Sequence, residues 1–143
     1  MKVKIDCNEN NELEIIIKCK EVDDEVKQII NLLEEKTYIL GKINNQTCQI
    51  KITDIYYIEA NEDRVFIYCK DKIYETSNRL YELEQQLDKQ YFIRISKSII
   101  LNLKKLSSVK AYLNGRYEGT LINGERVIIT RHYVRNFKNR FGM

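Results

Sequence analysis

The chain has 143 residues, 43% hydrophobic and 31% charged, enough to bury one sizeable core or a core plus a small satellite, and too apolar for a disordered segment. No apolar run approaches the ~20 residues of a membrane span and the N-terminus has no signal-peptide pattern, so a cytoplasmic location is expected. The formal charge of +3 conceals an uneven distribution: residues 1–36 hold six Lys/Arg against ten Asp/Glu, residues 37–89 seven against nine, and residues 90–143 eleven against only Glu118 and Glu125. A basic last third suits a polyanionic partner, because clustered cations neutralise phosphates and release counterions.

Alternation over residues 2–7 and 12–19, about the polar turn Asn8 to Asn11, predicts a hairpin. Asp23 or Asp24 can cap a following helix in which Val26, Ile29, Ile30, Leu32 and Leu33 keep helical spacing, so residues 1–36 read as a small ββα extension. Its acidic surface and broad apolar helix face suit protein contact and a homodimer. Residues 38–42 and 47–52 predict a second hairpin about Asn44 and Asn45, a pair suited to positive φ. Residues 55–58, 65–69 and 73–76 continue as a meander, and Ser77 or Asn78 can cap a helix carrying Leu80, Leu83 and Leu87, with Glu82 and Glu84 facing out.

Residues 91–103, YFIRISKSIILNL, switch pattern twice. Tyr91, Ile93 and Ile95 alternate as the inner face of a strand should, and the next inward position is Lys97. The tripeptide Ser96-Lys97-Ser98 thus interrupts an apolar run that resumes at Ile99, and its flanks would hold it while its donors face outward. Residues 109–113, 119–122 and 126–130 predict three more strands, turning at Asn114-Gly115 and Asn123-Gly124. Thr130 can cap a last helix with Tyr133, Val134, Phe137 and Phe141 on one side. With about ten short strands and three helices, the chain reads as a β-rich α+β protein.

Catalytic constellations are poorly supported. His132 is the only histidine, no Gly-rich loop opens a helix, and Glu59, Glu62 and Asp63 read as a solvated turn. Cys7, Cys19, Cys48 and Cys69 form no CxxC pair, so they read as buried free thiols, and neither a metal, a cofactor nor a small-molecule substrate is expected.

Nucleic-acid recognition fits better, because Arg64, Lys97 and Arg131 fall at loop or element ends where side chains reach a groove while strands stay packed. Arg can fork onto guanine O6 and N7 and Lys can reach the same edge as a point donor, each good bidentate pair being worth ~1–3 kcal/mol of discrimination. Ser96, Ser98, Tyr133, Arg135 and Lys138 suit phosphates, which orient a protein without reading sequence. No helix-turn-helix pattern is visible, so loops must build the reading surface. The other reading is a protein-interaction module whose basic face binds an acidic partner or an inhibitory membrane protein.

The segment 55–141 resembles the LytTR DNA-binding domain of bacterial transcription regulators. The resemblance rests on IYYIEANEDRVFIY, the helix LYELEQQL, FIRISKSIILNL, the Asn123-Gly124 turn and ITRHYVRNFK, in the family's order. It implies an elongated stack of short antiparallel β-sheets with a few helices, spanning residues 37–143, whose loops enter successive major grooves of bent double-stranded DNA at direct-repeat sites. It also implies a response-regulator-like protein of the stand-alone kind, without a receiver domain. The family's base-reading positions fall on Asp63 or Arg64, on Lys97 and on Arg131, with Asn61, Arg94, Ser96, Ser98, His132, Tyr133, Arg135 and Lys138 as phosphate-contacting or supporting residues.

Overall fold

In the computed structural model, which describes residues 1–34 and 36–143, the chain divides into two compact units, Met1–Glu35 and Lys36–Met143. In the first, the Asp23 carboxylate accepts the Val26 N–H at 3.0 Å and so caps helix α1 (Asp24–Leu33). Asp24 and Glu25 in its first turn complement the positive end of the helix dipole. The turn expected after residue 7 forms, the Asn11 N–H donating to the Asn8 carbonyl, but residues 2–7 and 12–19 carry no strand. A two-stranded hairpin is marginal in water unless its apolar face is covered, and Val3, Ile5, Leu13, Ile15 and Ile16 all stay exposed. The extension is therefore a capped helix preceded by irregular chain, not a ββα unit.

The second unit holds ten strands and two helices: β1 (Tyr38–Ile43), β2 (Gln46–Lys51), β3 (Tyr57–Asn61), β4 (Arg64–Tyr68), β5 (Ile73–Thr76), α2 (Leu80–Gln86), β6 (Phe92–Arg94), β7 (Ile99–Asn102), β8 (Leu106–Ala111), β9 (Tyr117–Leu121), β10 (Arg126–Ile129) and α3 (Val134–Phe141). Every pairing is antiparallel. Seven strands form one sheet in the order β2-β1-β5-β4-β3-β7-β6, and three form another in the order β10-β9-β8. Turn chemistry sets several connections: Asn44 and Asn45 take φ of 52° and 62°, as the β1–β2 turn requires.

Because successive strand residues face opposite ways, the large sheet supports two cores. Ile58, Ile67 and Ile100 pack under Leu80, Leu83 and Leu87 from α2 and its C-terminal end. Ile93, Ile95 and Leu101 pack with Leu121, Val127, Ile129 of the small sheet and Phe137 of α3. Helix α2 starts at Leu80 behind Arg79, not behind Ser77 or Asn78: Glu82 accepts the Arg79 N–H, while Thr76 Oγ1 takes the Asn78 N–H. The cysteines depart from expectation. Cys7 and Cys19 are exposed, and Cys48 and Cys69 are only half-buried, though burial suffices to push the Cys69 thiol up to about 11. Among the described residues, no helix is long and apolar enough to cross a membrane.

Candidate nucleic-acid interface

Backbone pairing brings three separate segments into one row. The β3–β4 turn is made by Glu62, at φ 56°, and Asp63. Beyond the Glu59–Ile99 pair the Ala60 N–H donates to the Ser98 carbonyl at 2.8 Å, so the turn at 61–63 lies beside the β6–β7 loop. That loop closes on itself: Ile95 N–H donates to Ile99 O at 3.1 Å and Ser98 N–H to Ser96 Oγ at 3.2 Å. Serine hydroxyls bond locally to backbone and so favour a turn over a continuing strand, which is why the apolar run breaks at this tripeptide. The Ile95 carbonyl in turn accepts both the N–H of Thr130, at 2.9 Å, and its hydroxyl, at 3.2 Å. Thr130 does not cap α3 with its side chain. It anchors the helical turn Arg131–Tyr133 to the loop.

The side chains differ in freedom. Lys97 and Arg131 are exposed, and neither makes an ion pair among the described residues. The Lys97 carbonyl accepts Arg94 Nη1 at 2.7 Å, and Arg94 Nε lies 3.1 Å from a Glu84 carboxylate oxygen, in ionic contact without a well-directed hydrogen bond. Arg94 is therefore a strut between α2 and the loop, and Glu84, which the sequence left facing solvent, is its anchor. The aliphatic stem of Arg131 lies over Gly115: a Cβ there would sit 2.9 Å from Arg131 Cδ, at a φ of +74°.

Arg64 opens β4 at the turn, but its guanidinium forks onto Glu75, with Nε at 2.9 Å and Nη2 at 2.8 Å, and lies 5.0 Å above the Phe66 ring. Those hydrogen bonds hold the Glu75 carboxyl below its ordinary range. Asn61 and Asp63 are exposed beside it. On the far side of the row His132 is exposed, edge-on to the half-buried Tyr133 at 5.2 Å, Arg135 is exposed, and Lys138 Nζ sits 4.9 Å from the Tyr117 ring centroid. Behind the loop, a cleft of about 320 Å³ is lined by Tyr57, Glu59, Ser96 and Thr130 among others. Burial and the neighbouring Glu125 push the Tyr57 phenol far up, so it stays protonated. Among the described residues, no cluster of His, Cys, Asp or Glu is placed to hold a metal ion.

The packed antiparallel sheets of the second unit offer exposed cations from their loops, while α2 and α3 pack against the two cores. The chain belongs to the LytTr DNA-binding domain family, whose model matches residues 45–142. It is 30% identical over 147 residues to an uncharacterized HTH-type transcriptional regulator of Staphylococcus aureus, covering 100% of this chain and 99% of that protein. It is 31% identical over 90 residues to the sensory transduction protein LytT of Enterococcus faecalis, covering 63% of this chain but 37% of that protein. A solved LytTr DNA-binding domain of a Bacillus cereus methyl-accepting/DNA response regulator superposes with a TM-score of 0.72 at 22% identity, over 76% of this chain and 99% of that one. Among the described residues the three α-helices are separated by strands, so no two of them form a helix-turn-helix.

Proposed function

We propose that the chain is a sequence-specific transcription regulator that reads the major groove of double-stranded DNA through Lys97 and Arg131. The reading is supported by the pair of backbone links, Ala60 to Ser98 and Ile95 to Thr130, which tie the β3–β4 turn, the loop bearing Lys97 and the turn bearing Arg131 to one another, and by the two exposed cations, neither of which makes an ion pair among the described residues. Loops tied to sheets lose little freedom on binding, which favours precise contacts. Arg131 supplies a fork for guanine O6 and N7, and Lys97 a point donor for the same edge. Arg64 joins them by exchanging its Glu75 partner for DNA, with Asn61 and Asp63 beside it. Ser96, Ser98, His132, Tyr133, Arg135 and Lys138 meet phosphates, and Arg94 supports Lys97 from within.

Lys97→Ala and Arg131→Ala are each expected to weaken binding to a cognate site by ~1–3 kcal/mol while leaving random DNA almost unaffected. Lys138→Ala is the contrast: it should weaken all sequences alike and lower the salt slope by about 0.9. Mobility shifts on a site selected from a random pool decide the matter. Selection that returns only salt-sensitive binding without a preferred sequence would favour the protein-interaction reading.

The site is a direct repeat bound by a homodimer held through α1. Leu32 and Leu33 of that helix are exposed, on a unit whose surface is acidic and so unsuited to DNA. Sedimentation at micromolar concentration should show a dimer that Leu32→Glu with Leu33→Glu converts to a monomer; a monomeric parent protein would end this part of the proposal.

A further inference from the structure

The row of loops has a fourth member. Strand β9 begins at Tyr117, which pairs with Ile129 of β10 on one side and with Ala111 of β8 on the other. The turn between β8 and β9, residues 112–116, therefore lies at the end of the small sheet where Thr130 and Arg131 emerge. It is closed by Tyr112 N–H donating to Arg116 O at 2.8 Å, and bent by Asn114 and Gly115 at φ of 58° and 74°. Its contact with the reading row is direct, since the Arg131 stem packs on Gly115.

We propose that this turn is a fourth DNA-contacting loop that grips the sugar-phosphate backbone beside the bases met by Arg131. The inference rests on the reading of Arg131 as a groove residue. Arg116 is fixed, not free: its Nε donates to Leu113 O at 3.1 Å and its guanidinium lies 4.9 Å from the Tyr112 ring centroid. A guanidinium held against its own turn has too little reach for a groove floor. Its remaining N–H groups suit a phosphate at the groove edge. Leu113, 66% exposed, forms the tip. A lone exposed leucine is ordinary, but this one shares its turn with Arg116, which donates to its carbonyl, and with Gly115, on which the Arg131 stem packs, so the turn combines an apolar tip with nearby cations, a composition suited to deoxyribose and phosphate.

The test uses the full chain on the selected cognate site and on random DNA. Leu113→Glu leaves a surface position filled and so preserves the fold, which thermal unfolding verifies, but sets a carboxylate against the backbone. It should weaken both DNAs about tenfold, and Arg116→Gln should weaken both by a similar factor and lower the salt slope by about 0.9. Hydroxyl-radical footprints of the wild type should show protected sugars next to the Arg131 contact that Leu113→Glu exposes. Unchanged affinity and footprint for Leu113→Glu, with Lys97→Ala and Arg131→Ala still impaired, would defeat the fourth loop alone. If Lys97→Ala and Arg131→Ala are also silent, the underlying reading fails with it.

Discussion

Replacing Phe137 by alanine should lower the unfolding free energy by about 3–5 kcal/mol, the range for removing an aromatic ring from a packed core. Phe137 is 0% exposed and is the one fully buried side chain of α3, seated among Ile93, Ile95, Leu101, Leu121, Val127 and Ile129 and stacked on Phe141 at 5.5 Å. The same helix follows directly on Arg131, and the same cluster contains Ile95, whose carbonyl holds Thr130. Loss of the ring thus loosens the platform as well as the core. In urea, the midpoint should fall with an unchanged m-value. Where the variant is still folded, cognate affinity should fall more than random-DNA affinity, because base contacts need the geometry and phosphate contacts tolerate its blurring. A drop below 1 kcal/mol would mean that α3 is not anchored through this residue.

The parts of the fold that local chemistry decides were legible in the sequence. Asn44-Asn45 and Gly124 occupy the left-handed backbone that their turns need, and the Ser96-Lys97-Ser98 break in alternation is a real loop closed by serine hydroxyls. Partners distant in sequence were not legible. Residues 2–7 and 12–19 alternate as strands do, yet whether a strand forms depends on a covered face, and alternation cannot report that. Arg64 is a donor at a turn by sequence; only the β4–β5 register, which sets Phe66 opposite Glu75, shows that its fork is taken. Thr130 looked like a helix cap because threonine caps helices. Its hydroxyl instead reaches Ile95, thirty-five residues back, and that bond aligns the candidate site. The contact between Arg94 and Glu84 was not legible, since a charged residue on a short helix ordinarily faces water.

Asn102→Asp should cost about 3 kcal/mol or more at neutral pH, although the two side chains are nearly the same size. Asn102 ends β7 at 2% exposure, its Nδ2 donating to the Ile55 carbonyl at 2.8 Å and its Oδ1 accepting the Lys104 N–H at 3.0 Å. The substitution keeps the acceptor for Lys104 but replaces the donor by an oxygen that faces another oxygen where water does not enter. Both burial and the facing carbonyl disfavour the charged form, so the introduced carboxyl has a folded-state pKa above its unfolded value of about 3.9. A raised folded pKa means that the stability is present below the unfolded value and lost as pH rises through the folded one. The deficit against wild type should therefore shrink towards about pH 4, where the protonated acid can again donate to Ile55, and grow towards pH 7. Asn102→Ala, which has no proton to regain, should cost about 2 kcal/mol with little change between those pH values. Urea unfolding of both variants at each pH checks this; an equal deficit for Asn102→Asp throughout would mean that the site admits water. The Ser96-Lys97-Ser98 loop lies at the opposite end of β7, so folded Asn102→Ala protein should keep the proposed preference for cognate over random DNA, separating a residue that builds the sheet from those proposed to meet DNA.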